Sequence, residues 1–363
     1  MATRVLSKSA EKRAARRLGA GAASRALYMS YFGGPSEVFG PRLASTLLPA
    51  LELPAPPSVL LNCFASRAAR AEYLSSTPGG ASACARVRGL LPELDAWTRL
   101  DGGAFPPLHV GAGALAADAL IAYHLDAASL LPVCALEPAR GARVLDMCAA
   151  PGGKALALAQ LLRGGSLTAN DLSPGRRRRL REVLSLYLPP LGQGGGDAPA
   201  VTLTAVDATL LGAFGSAAFD AVLLDAPCSS DRHVLRDAAA LSAWSPGRIK
   251  VNARRQSALL ACALDAVRPG GTVVYSTCAL SVRENDGVVA KALEKAAGAV
   301  TLVPLRFAFG EPTPLGGWLV LPDAAAGAGP LYIAKLVRAP ALPPGVRGDY
   351  ADDRGPEPGP ELV

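Results

Sequence analysis

The chain has 363 residues, with 37 Lys or Arg against 30 Asp or Glu, so its formal net charge is +7. Half of the residues are hydrophobic, which excludes a mostly disordered protein, and the length allows two or three domains around a sizeable core. No run of about 18 apolar residues has the character of a membrane span. The seven cysteines are an odd number without C-x-x-C pairs, which argues against a disulfide framework and predicts no metal site.

The positive charge is concentrated at the N-terminus. The first 25 residues carry seven basic side chains and a single acid, Glu11, and they are rich in Ala and Ser. This composition is typical of an organellar transit peptide, and a solvated basic tail that contacts RNA phosphates is the alternative. We therefore predict a basic leader over residues 1–27 and a mitochondrial protein, with a plastid or the nucleus as alternative locations.

The remaining chain divides by its hydrophobic pattern. Residues 28–110 are irregular and partly helical, which predicts a helical N-terminal extension, and residues 116–136 have helically spaced apolar side chains. Five short apolar runs then alternate with helix-length segments: ARVLDMC, SLTANDL, VTLTAVD, FDAVLLDAP and GTVVYSTC. This alternation predicts an α/β domain over residues 111–338, with a doubly wound, mostly parallel sheet between two layers of helices. Residues 339–363 are rich in Pro, Gly and acids and are predicted to be a disordered tail.

The first predicted strand runs into a glycine-rich loop and then into a helix. Ligands of parallel sheets bind at the carboxyl ends of the strands, and small residues at a helix start let a ligand approach the backbone. The predicted binding loop comprises Cys148, Ala149, Ala150, Pro151, Gly152, Gly153 and Lys154. Its spacing is neither that of a P-loop nor that of a G-x-G-x-x-G dinucleotide turn.

Acids stand at the ends of the next two predicted strands. Asp171 follows Asp146 by 25 residues, a distance that suits an acid accepting both hydroxyls of a ribose. Asp207 ends the third strand and is placed to contact an adenine amino group. Each acid alone is better explained as a helix cap, but with the loop they indicate an adenosyl ligand without a pyrophosphate. S-adenosylmethionine fits that description.

Two cysteines stand at the ends of the fourth and fifth predicted strands. Cys228 follows a proline, Cys278 follows Ser-Thr, and these strand ends are neighbours in the predicted topology. A thiolate that adds to carbon 6 of cytosine makes carbon 5 nucleophilic towards a methyl sulfonium, and an acid at ring nitrogen 3, such as Asp225, stabilises the adduct. The pair therefore predicts covalent catalysis of cytosine C5 methylation.

Four segments carry a family resemblance: DMCAAPGGK, NDLSPGR, DAPCSSDRH and VVYSTCALSVRENDGVV. They resemble the signatures of the NOL/NOP/Sun RNA cytosine-5 methyltransferases, which have a Rossmann-like S-adenosylmethionine-dependent fold. The resemblance implies that Cys278 is the nucleophile, that Cys228 helps to release the product and that Lys154 lines the catalytic pocket. It also implies that the 148–154 loop, Asp171, Arg176, Asp207 and Asp225 contact the methyl donor.

The segments YHLDAASLLPV and ANDLSP are most similar to the branch of that family that acts on mitochondrial ribosomal RNA. This resemblance implies small-subunit ribosomal RNA as the substrate and an accessory protein of the mitochondrial termination-factor type as a partner. Two alternatives remain open at this point. One keeps the chemistry but has transfer RNA as the substrate, and the other is a factor that acts chiefly in ribosome assembly.

Overall fold

The computed structural model describes four ranges, which are residues 22–34, 39–106, 120–189 and 198–340. Most of the predicted basic leader and all but two residues of the predicted tail lie outside them. The last six residues of that leader, 22–27, are not separate from the fold, because they begin a helix that extends to residue 32.

The described helices fall mainly between strands of the large sheet. They are α1 (residues 22–32), α2 (Leu48–Glu52), α3 (Arg67–Ser76), α4 (Leu131–Leu136), α5 (Gly153–Leu161), α6 (Pro174–Tyr187), α7 (Asp231–Arg236), α8 (Ala238–Ala243), α9 (Pro246–Ala266) and α10 (Asp286–Ala296). A π-helical turn, Leu43–Leu47, precedes α2, and short 3₁₀ turns span Ala81–Ala83 and Ala127–Leu130.

The strands form a large and a small sheet. They are β1 (Ser58–Leu61), β2 (Cys84–Arg86), β3 (Ala96–Arg99), β4 (Ala122–Leu125), β5 (Arg143–Asp146), β6 (Ser166–Asn170), β7 (Ala200–Thr204), β8 (Phe219–Asp225), β9 (Val267–Thr277), β10 (Val300–Val303), β11 (Glu311–Pro312), β12 (Trp318–Val320) and β13 (Leu331–Arg338).

The large sheet has the order β11-β12-β13-β9-β8-β5-β6-β7, with β10 beside β13. Strands β5 to β9 are parallel, and the five apolar runs of the sequence supply them. The chain builds outwards from β5 through β6 to β7 and then returns to β8 on the other side. The predicted doubly wound α/β fold is confirmed, and β5 and β8 flank its topological switch point.

The four remaining strands of the large sheet, which the hydrophobic pattern did not predict, run antiparallel to their neighbours. Strand β13 pairs with the edge of β9, the strand that ends at Thr277 just before Cys278. Without β13, this edge of β9 would be unpaired.

The central strands are buried on both faces. Leu145, Val222 and Val273 contribute to one hydrophobic core, whereas their chain neighbours Val144 and Val274 contribute to the core on the other face. This period of two explains why the strands read as continuous apolar runs, since each side chain meets a helix layer on one face or the other.

The N-terminal extension differs from the prediction. Residues 58–99 supply three antiparallel strands, and residues 122–125, which lie inside a segment with helical spacing, form a fourth strand beside β1. The prediction of helix over residues 116–136 is therefore wrong at residues 122–125, which form a strand. Residues 116–119 of that prediction lie outside the described residues. Pairing with β1 outweighs the local helical preference of AYHL, as tertiary contacts often do.

Within the described ranges, no helix is long and apolar enough to cross a membrane. The same ranges contain no group of three His, Cys, Asp or Glu side chains arranged to hold a metal ion.

Candidate active site

A cavity of about 220 Å³ opens at the carboxyl ends of β5 and β8, where the strand order reverses. Most of the predicted binding loop lines it, together with residues from β4 and the turn that follows it. The lining residues are Tyr123, His124, Leu125, Asp126, Ser129, Asp146, Cys148, Ala149, Ala150, Pro151, Gly153, Lys154 and Asp225.

The backbone path of the 148–154 loop requires glycine at positions 152 and 153. Gly152 has a φ of 123°, a conformation that residues with a side chain rarely adopt. A Cβ on Gly153 would lie 2.8 Å from Cε1 of Tyr123, so a larger residue there would push the tyrosine ring from the cavity wall. The loop therefore brings the backbone and the N-terminus of α5 close to the cavity.

Asp146, the last residue of β5, has a buried carboxylate without a hydrogen-bond partner among the described residues. The Cys148 N–H approaches the carboxylate but does not reach hydrogen-bond geometry. Burial, and next the nearby Asp225 carboxylate, raise the pKa of Asp146 to about 7. A buried acid facing a cavity suits a cationic ligand, so these residues fit S-adenosylmethionine, whose sulfonium and ammonium groups are positive.

Asp171 and Arg176 lie together beside the binding loop. Asp171 Oδ2 accepts a hydrogen bond from Arg176 Nε at 3.0 Å, and a second Arg176 nitrogen donates to the Ala150 carbonyl at 2.6 Å. Asp171 Oδ1 accepts from the Ser173 backbone N–H in the turn just before α6, and the start of α6 has no side-chain cap. The contact of Asp171 with a ribose stays a prediction.

Asp207 is not among the cavity residues. Its Oδ1 accepts hydrogen bonds from both the backbone N–H and the hydroxyl of Thr209, at 3.0 and 2.7 Å. These bonds lower the pKa of Asp207 and hold its own turn. No helix follows Asp207 before β8 in the described range 198–340, so the helix-cap explanation is wrong for this residue, and its contact with an adenine stays a prediction.

Cys228 and Cys278 lie together, as their strand ends predicted. Asp225 of β8 is paired in register with Ser276 of β9, and the two sulfur atoms are 3.2 Å apart. Cys278 Sγ also lies 3.4 Å from Ser230 Oγ. Both cysteines are free thiols.

Lys154 and Asp225 form an ion pair next to the cysteines, with Nζ 2.8 Å from Oδ2. Burial alone would lower the pKa of Lys154, but the charge and hydrogen bond of Asp225, together with the nearby Cys278 and Asp146, raise it overall. Asp225 Oδ1 accepts a hydrogen bond from the Ser276 hydroxyl at 2.8 Å. Both oxygens of Asp225 therefore accept hydrogen bonds, and Lys154 is the charged donor of the two.

The sequence alone does not predict several residues that hold this site. Asp146 enters the sequence prediction only through its spacing to Asp171, although its position at the end of a buried strand could have indicated it. Glu284 and Asn285 lie in the RENDGVV part of a segment that carries the family resemblance, which implies no role for them. Nothing local in the sequence indicates Gln256 or Tyr28, which reach the site only through the tertiary fold.

A family model described as 16S rRNA methyltransferase RsmB/F matches residues 133–337. The chain is 42% identical over 234 residues to 5-cytosine rRNA methyltransferase NSUN4 of Xenopus tropicalis, and 39% identical over 272 residues to NSUN4 of Mus musculus. It is also 39% identical over 225 residues to the mitochondrial tRNA (cytosine(34)-C(5))-methyltransferase of Danio rerio. These matches cover 60%, 69% and 59% of this chain.

The same matches span 56%, 68% and 60% of the three relatives. Among solved structures, a methyltransferase homologue from Pyrococcus horikoshii is similar, with a TM-score of 0.62 and 26% identity over 86% of this chain and 98% of that one. The fold and the signature segments agree with these comparisons. Because the family model takes in more than half of the chain, the protein belongs to the RsmB/F (Sun) family of RNA methyltransferases.

Proposed function

We propose that the protein is an S-adenosylmethionine-dependent RNA cytosine-C5 methyltransferase that acts through a covalent adduct at Cys278. The observation that carries this proposal is the pair of free cysteine sulfurs 3.2 Å apart, beside the Lys154–Asp225 ion pair. A single buried cysteine is commonly a small hydrophobe. Two cysteines at adjacent strand ends, beside an ion pair that lines the cavity, call for a chemical explanation.

Cys278 is the nucleophile in this mechanism. Its thiolate adds to carbon 6 of the cytosine, and the electron pair of the 5,6 double bond moves towards carbon 5 and the ring. The Asp225–Lys154 pair holds the polar edge of the base and supplies the proton that neutralises the developing charge. S-adenosylmethionine, held by the 148–154 loop, Asp146 and Asp171, supplies an electrophilic methyl group when bound.

Cys228 completes the cycle. Once Cys278 is bonded to carbon 6, Cys228 gives its own proton to solvent, and its thiolate removes the proton from carbon 5 of the methylated adduct. The 5,6 double bond re-forms, the proton taken up by the ring returns to the Asp225–Lys154 pair, and Cys278 leaves as the thiolate. The 3.2 Å separation of the two sulfur atoms suits this order of steps. Cys228, as the general base, must reach carbon 5 while Cys278 is bonded to the adjacent carbon 6.

For the substrate, we propose a cytosine of mitochondrial small-subunit ribosomal RNA. The names of the NSUN4 relatives support ribosomal RNA. The name of the Danio rerio relative supports mitochondria and makes transfer RNA the second candidate. An accessory protein of the mitochondrial termination-factor type is part of this proposal and rests on the resemblance alone. A role chiefly in ribosome assembly is the remaining alternative.

A methylation assay separates these candidates. The purified protein is incubated with methyl donor and with transcripts of mitochondrial small-subunit ribosomal RNA or of mitochondrial transfer RNAs, and the RNA is sequenced after bisulfite treatment. We expect a new 5-methylcytosine in the ribosomal transcript that disappears with Cys278→Ala. Methylation of transfer RNA alone would reassign the substrate, and no methylation of either RNA, with intact donor binding, would favour the assembly role.

A further inference from the structure

A buried carboxylate ties the loop that carries Cys228 to the rest of the site. Glu284, which has no exposed surface, accepts two hydrogen bonds at Oε2. One comes from the Ser229 backbone N–H at 3.0 Å and the other from Gln256 Nε2 at 2.8 Å. Ser229 directly follows Cys228, so Glu284 holds the backbone on one side of that cysteine.

Gln256 of α9 holds the backbone on the other side. Its side chain is also without exposed surface, and Nε2 donates to the Pro227 carbonyl at 2.9 Å as well as to Glu284. The peptide groups before and after Cys228 are thus fixed by one buried Glu–Gln pair. Hydrogen bonds made away from water hold a geometry tightly, because breaking one leaves a desolvated group unpaired.

Cys278 is held by a different residue. Asn285 Oδ1 accepts a hydrogen bond from the Thr277 hydroxyl at 2.6 Å, and its Nδ2 donates to the Ala279 carbonyl at 2.9 Å. Thr277 and Ala279 are the neighbours of Cys278 on either side. Two consecutive residues, Glu284 and Asn285, therefore hold the two cysteines separately.

We propose that Glu284 and Gln256 are positioning residues for product release, whereas Asn285 positions the attacking cysteine. This inference rests on the proposed covalent mechanism and deepens it. Release needs Cys228 within reach of carbon 5, while attack needs only Cys278, so loosening the Glu–Gln pair slows the second step selectively. A displacement of about 1 Å is enough to cost up to about a hundredfold in a step that depends on orientation.

The surroundings of Cys228 agree with this division. The hydrogen bond with Cys278, and next burial, raise the pKa of Cys228 well above its usual value, and the Glu284 charge acts in the same direction. Glu284 thereby helps to keep Cys228 protonated while Cys278 attacks. Burial raises the pKa of Glu284 itself to about 7, so its carboxyl group takes up a proton at higher pH than an exposed glutamate does.

The test measures adduct formation and adduct release separately in one RNA substrate. We expect Glu284→Ala and Gln256→Ala to form the protein–RNA adduct within about threefold of the wild-type rate and to release it about tenfold more slowly or worse, so that adduct accumulates. Asn285→Ala should show the reverse, with slow formation and no accumulation. Glu284→Gln should restore release, because the amide oxygen can accept both hydrogen bonds.

Gln160→Ala is the matched control. Gln160 is also a buried glutamine, but it accepts a hydrogen bond from the Cys63 backbone N–H and does not hold the Cys228 or Cys278 loop. This variant should form and release the adduct at the wild-type rates. Equal slowing of both steps in Glu284→Ala and Gln256→Ala, or failure of Glu284→Gln to restore release, would overturn the inference. If Glu284→Ala does not fold, Gln256→Ala decides the question by itself.

Cys228→Ala separates this inference from the proposed function. If Cys228→Ala accumulates adduct and the Glu284 and Gln256 variants do not, the positioning role is wrong and the mechanism stands. If Cys228→Ala forms no adduct either, the covalent mechanism itself is wrong.

Discussion

The two cysteines of the site differ in their surroundings although their sulfur atoms nearly touch. The hydrogen bond with Cys228 lowers the pKa of Cys278, and the Ser230 hydroxyl and the Lys154 ammonium act in the same direction against burial. Cys228 faces the opposite influences, among them Glu284. These directions favour Cys278 over Cys228 as the thiolate of the pair, and the role of Cys278 as the nucleophile stays a proposal.

Lys154 provides a test of this assignment. Replacing it with Met removes a nearby cation, so the pKa of Cys278 should rise and its alkylation by iodoacetamide should shift to higher pH. At pH 7 we expect alkylation of Cys278 to slow by about tenfold for each unit of that rise. Rates come from mass spectrometry of the Cys278 peptide, with Lys291→Met on α10 as the control. An unchanged pH profile in Lys154→Met would contradict the electrostatic account.

The elements differ in how far the sequence predicts them. Strands β5 to β9 are buried on both faces, so their apolar runs identify them directly, and the motifs at their ends locate both cysteines and the binding loop. The sequence does not predict the small sheet, because its strands have three or four residues and make their hydrogen bonds to partners up to 67 residues away along the chain. No local pattern carries that pairing. The same limit hides Gln256, which is distant in sequence from the loop that it holds.

Helix α1 packs directly over the two cysteine loops. The Tyr28 hydroxyl donates to Asp231 Oδ1 at 3.0 Å, and the Tyr31 hydroxyl lies 3.2 Å from Ser281 Oγ. Their rings pack with Phe32 and Trp244 in one aromatic cluster. Helix α1 of the N-terminal extension therefore contacts one loop on each side of the candidate site.

Tyr28→Phe tests this contact. The substitution leaves a buried Asp231 oxygen without its hydroxyl donor, which should cost about 2 kcal/mol of unfolding free energy. Urea unfolding followed by tryptophan fluorescence measures the loss. Leu27→Ala, an exposed change on the same helix, should cost about 0.5 kcal/mol or less. Equal stability of Tyr28→Phe and the wild type would show that this hydrogen bond does not anchor α1.

At the scale of the whole molecule, two buried acids link stability to pH. Asp146 and Glu284 each have a pKa raised to about 7 by burial, against about 4 in an unfolded chain. The folded protein therefore binds these protons more tightly than the unfolded one. Their effect favours folding at low pH, and this stabilisation is lost as the pH rises from about 4 to about 7.

Asp146→Asn should remove part of that pH dependence. We expect its melting temperature to fall less than that of the wild type between pH 5 and pH 8, and to be higher than the wild type at pH 8. Differential scanning calorimetry at both pH values measures the difference. Glu294→Gln, an exposed acid on α10, should leave the slope unchanged. If the melting temperature of Asp146→Asn depended on pH as steeply as that of the wild type, this carboxyl would ionise normally.

Binding of the cationic methyl donor should weaken in Asp146→Asn, because the buried negative charge is gone.

The central claim is that Cys278 attacks the RNA base and Cys228 releases it. The most direct measurement uses Cys228→Ala protein with methyl donor and mitochondrial small-subunit ribosomal RNA, followed by nuclease and protease digestion and mass spectrometry of the RNA-linked peptide. We predict a methylated cytidine attached to the peptide that contains Cys278, and no linked peptide when Cys278→Ala is added. A nucleotide attached to another residue, or methylated RNA formed at the normal rate without any adduct, would contradict this account.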